Sequence, residues 1–232
     1  NLHKSFSQPH GGGGPGAGPI AVSDRIEPYL PRPQVVRRER SGDGGPGFDL
    51  DFDRPKSIGR LRGFQGNFGV FVRSYAYILS LGGDGLAEAS ETAVLNANYL
   101  KARLSEGRAG EQLPIAFDRH CMHEFVLSGK PMKRQLGLAT LDLAKRLLDF
   151  GFHPPTVYFP LLVEEALMVE PTETETKESL DAFAGAIERI LAEAEEDPEV
   201  AKSAPYTTPV RRLDEVRATR RPVVRGAAQT SA

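Results

Sequence analysis

The chain has 232 residues, a length that suits one large domain or two small ones. Its 29 basic and 31 acidic side chains almost cancel, which gives no reason to expect a nucleic-acid or membrane partner. A single cysteine, Cys121, excludes an internal disulfide and a metal site built on cysteines. The chain begins without methionine and without an apolar signal segment, so we expect it to start inside a longer polypeptide.

The first part of the chain is dominated by glycine and proline. Residues 10–19 predict a loop, because glycine costs regular structure stability and proline removes a backbone donor. The short apolar run of residues 19–22 predicts a buried strand, and residues 27–54 predict an extended surface excursion. A helix is expected over residues 69–81, ended by Gly82 and Gly83.

A second helix is predicted by apolar residues that recur at intervals of three and four. They are Leu86, Ala89, Ala93, Ala97, Leu100 and Leu104. From about residue 113 the pattern changes to short strands at 123–127, 156–159 and 166–169 that alternate with helices. One helix is expected over 138–150, and another follows a predicted capping box at residues 172–175. These elements predict an α+β domain, followed by a tail in which Arg211 and Arg212 are solvated charges.

The chemical candidate is Lys4, which precedes a run of four glycines. A lysine that condenses with an aldehyde must present a neutral amine at a strand end or loop. Nearby glycines let backbone amides approach a phosphate or a substrate. The run lacks the Gly-Lys-Ser/Thr ending of a nucleotide-binding loop and the spacing of a dinucleotide site. From the residues alone, a plain surface lysine remains the commoner interpretation of Lys4.

The residues around Lys4 resemble the cofactor-lysine segment of the glycine decarboxylase (P-protein) family of the glycine cleavage system. That pattern is Asn-Leu-His-Lys-Thr-Phe followed by Pro-His and four glycines, and Ser5 stands here for the threonine. Further landmarks follow in the family's order. They are the segments at residues 93–100, 123–126, 144–147, 149–156 and 170–175. The tail at 204–216 resembles the end of the second subunit in the two-subunit form of bacteria and archaea.

This resemblance implies an α/β fold, the C-terminal part of a pyridoxal-phosphate-dependent transferase of the aspartate aminotransferase type. Residues 1–110 would end the large cofactor-binding domain and include a linking helix. Residues 111–200 would form the small C-terminal α+β domain, and residues 201–232 the tail. We expect the protein to lie in the bacterial or archaeal cytoplasm.

The implied activity is decarboxylation of glycine, with transfer of the aminomethyl group to the lipoyl arm of the H-protein. Lys4 would be the catalytic residue and would bind pyridoxal 5'-phosphate, with His3 beside it in the cofactor pocket. The substrate or the lipoyl arm would meet the loop formed by His10, Gly11, Gly12, Gly13 and Gly14. The resemblance also implies a heterotetramer with P-protein subunit 1, and no metal site, nucleic acid or membrane contact is expected.

Two other readings stay open at this point. The chain could be a non-catalytic subunit that binds the companion subunit or the lipoyl carrier, although such a role does not require Lys4. It could also be another pyridoxal-phosphate enzyme of the same fold, although the landmarks after residue 120 favour the P-protein family. Since much of the large domain would precede Asn1, we expect residues 1–232 alone to be inactive.

Overall fold

A computed structural model describes Leu2, Phe6 and residues 17–39, 46–61 and 66–224. The chain divides into two compact units, Asn1–Leu86 (unit 1) and Ala87–Ala232 (unit 2), which are described separately below. The domain boundary expected near residue 110 stays a prediction.

In unit 1, the predicted surface excursion contains a β-hairpin. Strand β1 (Gln34–Glu39) pairs antiparallel with strand β2 (Pro46–Asp51), and Gln34 lies opposite Asp51. A 3-10 turn precedes the hairpin at Glu27–Tyr29. The guanidinium of Arg54 donates to the carbonyl and the carboxylate of Glu27, at 2.8 and 2.5 Å. Arg54, which follows the hairpin, therefore links the end of strand β2 to the 3-10 turn before strand β1.

The strand predicted at residues 19–22 is wrong. These residues have no regular structure, and the side chain of Ile20 is 77% exposed. An apolar run forms a buried strand only where a neighbouring strand accepts its backbone hydrogen bonds. Among the described residues, the two strands of unit 1 pair only with each other.

Helix α1 (Phe68–Leu104) passes through the division between the units. Gly82 interrupts the helix with φ 66° and ψ −174°, a conformation that glycine adopts without steric cost. The sequence predicts that a helix ends at Gly82 and Gly83. The structure has a break at Gly82, and the helix resumes directly after it. The apolar side chains before the break, Val70, Phe71, Tyr75, Ile78 and Leu79, predict one buried face. Val70 is buried, but the other four are exposed, so the prediction is wrong for them.

Unit 2 contains a three-stranded antiparallel sheet and further helices. The strands, in the order β3-β5-β4 across the sheet, are β3 (Phe125–Ser128), β4 (Thr156–Val157) and β5 (Ala166–Val169). The helices are α2 (Gly107–Gln112), α3 (Lys130–Leu136), α4 (Thr140–Asp149), α5 (Lys177–Glu196), α6 (Pro198–Lys202) and α7 (Glu215–Arg220). The predicted alternation of short strands and helices after residue 113 is therefore present.

The core of unit 2 lies between α5, the end of α1 and the sheet. Helix α5 buries one face along its length, as the three- and four-residue spacing of its apolar side chains predicts. Fully buried core side chains include Leu100, Leu104, Leu127, Leu147, Leu167, Ile187, Ile190 and Leu191. Each contributes about 1.5–3 kcal/mol by leaving water.

Two helix starts differ from the sequence prediction. The capping box expected at residues 172–175 is wrong, because α5 begins four residues later. There the hydroxyl of Thr176 accepts the backbone N–H of Ser179 at 3.2 Å. Helix α4 begins at Thr140, whose N–H donates to the carboxylate of Glu165 at 2.9 Å. A carboxylate from outside the helix thus caps α4.

Glu165 connects several elements of unit 2. It has a φ of 52°, unusual for a residue with a side chain, and its carboxylate pairs with the amine of Lys133. Its carbonyl accepts the hydroxyl of Thr140 and the N–H of Gly129, both at 2.8 Å. Burial raises the pKa of Glu165, but the hydrogen bonds from Lys133 and Thr140 outweigh it and leave that pKa below its ordinary value. Glu165 therefore stays charged and holds α3, α4 and β5 together.

The tail is attached to unit 2 by Asp149. Its carboxylate, 2% exposed, accepts the backbone N–H groups of Tyr206 at 2.6 Å and Thr207 at 2.8 Å, and pairs with Arg146 at 3.0 Å. Burial acts to raise the pKa of Asp149, but the bonds from Thr207, Tyr206 and Arg146 lower it overall.

Arg211 and Arg212 also differ from the expectation of solvated charges. Arg211 donates to the carbonyls of Ser203 and Pro205, at 2.9 and 3.2 Å. Arg212 donates to the carbonyl of Ala204 at 2.8 Å and pairs with Asp142 at 2.7 Å. The tail therefore folds back along α6.

We expect Asp149→Asn to lower the free energy of unfolding by about 2 kcal/mol, because two backbone donors and Arg146 lose a charged acceptor whose side chain is 2% exposed. The folded pKa is lowered, so the stabilisation is complete above the unfolded value of about 3.9 and is lost as the pH falls through the folded pKa. The difference between variant and parent should therefore shrink below about pH 4. Urea unfolding as a function of pH measures it.

Asp118→Asn is the matched control, because the Asp118 side chain is fully exposed and lies 4.0 Å from Lys101. It should change stability by less than about 0.5 kcal/mol. Equal losses in the two variants would contradict the role given to Asp149.

Candidate functional site

The residues proposed for the cofactor site lie outside the described residues. This applies to Lys4 and His3, and to the loop of His10, Gly11, Gly12, Gly13 and Gly14. The structure does describe Leu2 and Phe6, which lie two positions before and two positions after Lys4. Leu2 is 8% exposed and its N–H donates to the carbonyl of Ala17 at 2.8 Å. The ring of Phe6 meets the ring of Tyr77 edge to face, with centroids 6.4 Å apart.

The first contact joins Leu2 to Ala17, which follows the four glycines by three positions, and the second joins Phe6 to helix α1. Both contacts lie within unit 1. Lys4 therefore stands, in sequence, between two anchored residues. Such anchoring is required of a lysine that must meet a cofactor in one position.

A second candidate site is a cavity of about 340 Å³ in unit 2. It opens where α1, β5 and α5 meet the loop before β4. Its buried lining is apolar and consists of Leu100, Val169, Leu180 and Phe183, with Phe152, Pro154, Pro155 and Met168 beside them. Its polar lining consists of His153, Thr156, Glu170, Thr172, Glu175 and Ser179. An apolar interior with a few polar groups at the edge is the usual form of a small-molecule site.

Asn96 on α1 shapes one wall of this cavity. Its side chain is buried, and its amide nitrogen donates to the carbonyls of Thr172 and Glu175 at 2.9 and 3.0 Å. A single side chain thereby satisfies two backbone acceptors and fixes the turn that contains Glu170 and Glu175. The opposite wall is stiffened by Pro154 and Pro155, whose φ angles are restricted.

The edge of the cavity is acidic. Glu170 and Glu175 contribute carboxylates, and no lysine or arginine is among the described residues that line it. The hydroxyl of Ser179 donates to Glu175 at 2.6 Å. The imidazole Nε2 of His123 lies 3.8 Å from a carboxylate oxygen of Glu170, a distance beyond a direct hydrogen bond. Glu170 is therefore the carboxylate with acceptor capacity to spare.

The sequence did not reveal this cavity. Pro154 and Pro155 after His153 predict only a turn, and Glu175 is predicted to belong to a helix cap, whereas the structure places His153 and Glu175 in the cavity lining. The signal was present in two proline-containing segments, His-Pro-Pro-Thr at 153–156 and Glu-Pro-Thr at 170–172. Their meeting depends on the antiparallel pairing of β4 with β5, which brings Thr156 opposite Met168.

The described residues show no group of three or more histidine, cysteine, aspartate or glutamate side chains that could hold a metal ion. Across the same residues, every helix is too short or too polar to traverse a bilayer.

Comparison with solved structures defines the class of fold. The chain resembles the crystal structure of glycine decarboxylase (P-protein) of the glycine cleavage system in inhibitor-bound form, with a TM-score of 0.64. The alignment covers 80% of this chain and 41% of that one at 24% identity. The predicted α/β fold is confirmed in that this chain shares the fold of part of that P-protein.

The particular family follows from sequence comparison. Residues 89–208 match the family described as "Glycine dehydrogenase, C-terminal domain", so the chain belongs to that family. It is 55% identical over 97% of its length to "Probable glycine dehydrogenase (decarboxylating) subunit 2" of Bacillus velezensis. It is 57% identical over 97% to the protein of the same name from Caldanaerobacter subterraneus. The chain spans 43% and 44% of the length of these two relatives.

We expect Asn96→Ala to lower the free energy of unfolding by about 1–3 kcal/mol, because two carbonyls lose their donor. The turn at residues 170–175 should also be cut faster by a protease that cleaves after glutamate, since Glu173 and Glu175 lie in it and neither precedes a proline. Leu95→Ala is the control on the same helix, because Leu95 is 68% exposed. Cleavage that is unchanged in Asn96→Ala would show that the amide does not hold this turn.

Proposed function

We propose that the chain is part of a pyridoxal-phosphate-dependent glycine dehydrogenase (decarboxylating). The enzyme removes carbon dioxide from glycine and transfers the aminomethyl group to the lipoyl arm of the H-protein. One observation carries this proposal: identity of 55% across 97% of the chain to a relative named for that activity. Membership of the family over residues 89–208 supports it independently of the segment around Lys4.

The residues available in unit 1 fit the cofactor. Pyridoxal phosphate needs a primary amine for covalent attachment and backbone N–H groups for its phosphate. Lys4 offers the amine, and Gly11 to Gly14 offer amides unobstructed by side chains. Leu2 and Phe6, the described residues nearest to Lys4 on either side, each make a contact within unit 1. When bound, the cofactor ring takes up the electron pair left as carbon dioxide departs.

The side chains of this chain orient the substrate and move protons. Lys4 would hold the cofactor through its Nζ atom, and its free amine would carry a proton to or from the substrate carbon. His3 lines the cofactor pocket. His10 and the four glycines after it face the substrate or the incoming arm, where the lack of Cβ atoms permits close approach.

The proposed assembly has three components. The relatives are named as subunit 2, which supports a companion subunit 1 in a heterotetramer, and the lipoyl-bearing H-protein receives the aminomethyl group. The bacterial relatives support a place in the bacterial cytoplasm. Since the chain spans less than half of the relatives' length, the remaining cofactor contacts come from the rest of the family polypeptide. A non-catalytic binding subunit is the alternative, and it leaves Lys4 without a role.

Borohydride trapping tests the proposal on the full-length protein with its companion subunit. After incubation with pyridoxal phosphate and reduction, we expect a pyridoxyl adduct on the peptide that contains Lys4. Lys4→Ala should abolish the adduct and lower glycine decarboxylation by at least about 100-fold. Lys56→Ala, at an exposed lysine of the same unit, should leave both unchanged.

An unmodified Lys4 in a folded, cofactor-saturated protein would overturn the catalytic assignment. The non-catalytic subunit would then be the better description, and binding to the companion subunit would be its remaining activity.

A further inference from the structure

We propose that the cavity of unit 2 binds an extended aliphatic chain that carries a protonated amine near its end. The inference rests on the proposed function, in which an aminomethyl group leaves the enzyme on an aliphatic, sulfur-bearing arm. It assigns a binding place for that arm, with Glu170 as the partner of the amine.

The size and lining of the cavity favour a narrow apolar chain. Its volume of about 340 Å³ lies at the lower end of the range for small-molecule sites. Leu100, Leu180 and Phe183 form an interior with no hydrogen-bonding side-chain groups. Met168 adds a flexible thioether, which packs well against chains of varied shape. A chain of methylene groups gains from burial here about in proportion to the area that it removes from water.

The charges favour a cation at the edge of the cavity. Glu170 and Glu175 supply two carboxylates, and His153 is the described lining residue that could bear a positive charge. The amino end of α5 does attract anions. However, Glu175 lies directly before the N-cap of α5 and Glu178 lies in its first turn, so carboxylates of the protein already compensate the positive end of the helix dipole. An incoming carboxylate would therefore meet repulsion, and an incoming ammonium would meet Glu170.

The polar groups of the edge leave Glu170 available. Glu175 accepts a hydrogen bond from Ser179, and the hydroxyls of Thr172 and Thr174 lie 2.7 Å apart, so that one of them donates to the other. Glu170 faces His123 at 3.8 Å, and 55% of its side chain is exposed. An ammonium group can therefore approach Glu170 without breaking a direct hydrogen bond between described side chains.

The walls are fixed before any ligand binds. Asn96 holds the turn at residues 172–175, and three prolines at 154, 155 and 171 restrict the backbone on either side. The rings of Phe152 and Phe183 pack edge to face with centroids 5.4 Å apart. A preformed site loses little conformational entropy on binding, which favours weak but specific capture of a mobile arm.

The test uses two probes of equal length, 8-aminooctanamide and octanamide, which differ in the terminal amine. Binding is followed by NMR on the chain labelled at its methionine methyl groups. The three methionines provide internal controls, since Met168 lines the cavity, Met132 is fully buried and Met122 is 71% exposed. We expect a saturable shift of the Met168 signal, with the signals of Met122 and Met132 unchanged.

The cationic probe should bind at least about threefold more tightly than the neutral one, and raised salt should reduce this preference. Glu170→Gln should abolish the preference. Glu173→Gln should retain it, because Glu173 lies in the same turn but does not line the cavity. Equal affinity for the two probes, a preference that survives Glu170→Gln, or no saturable shift of Met168 would each overturn the proposal.

Failure here is distinguishable from failure of the proposed function. Lys4→Ala should bind both probes as the parent does, because the cavity lies in unit 2 and its lining includes no residue before Leu100. Trapping at Lys4 without probe binding would overturn the cavity assignment alone. Probe binding with no adduct at Lys4 would support the cavity assignment and overturn the catalytic one.

Discussion

The side-chain amide of Asn96 is the interaction on which the cavity depends. It stands on a helix buried against the core of unit 2 and donates to two carbonyls of the turn before α5. Without those bonds, two backbone acceptors would face a partly buried space with no donor, at a cost comparable to a lost hydrogen bond each. Because the same turn carries Glu170 and Glu175, the amide determines where negative charge stands relative to the apolar interior.

Glu165 plays the corresponding part at the other side of the sheet. Its main chain has an unfavourable positive φ, and its carboxylate is almost completely buried. Both features are tolerated because the carboxylate caps α4 and pairs with Lys133, while its carbonyl receives two donors. Glu165 directly precedes the central strand β5, and Glu170 directly follows it. Glu165, before the strand, stabilises the fold, whereas Glu170, after the strand, is open to solvent.

The sequence predicted the parts of this protein that depend on local pattern. The spacing of Leu180, Ile187 and Leu191 predicts α5 and its buried face, and the family landmarks identify the fold. What failed depended on partners distant in sequence. Residues 19–22 carry no local sign that a pairing strand is missing among the described residues. Thr172 and Thr176 are the same residue type and both could cap a helix, but it is Thr176 that caps α5. The cavity was missed because its polar residues come from two loops that only strand pairing brings together.

The arginines of the tail act as helix caps drawn from a later part of the chain. The guanidinium groups of Arg211 and Arg212 reach carbonyls at and just beyond the end of α6, which no residue within that five-residue helix can satisfy. Two donors at fixed spacing on one planar group do this, and the single ammonium of lysine does not. Natural selection should therefore preserve arginine at these surface positions for the geometry of its hydrogen bonds, even though any cation would keep the same net charge.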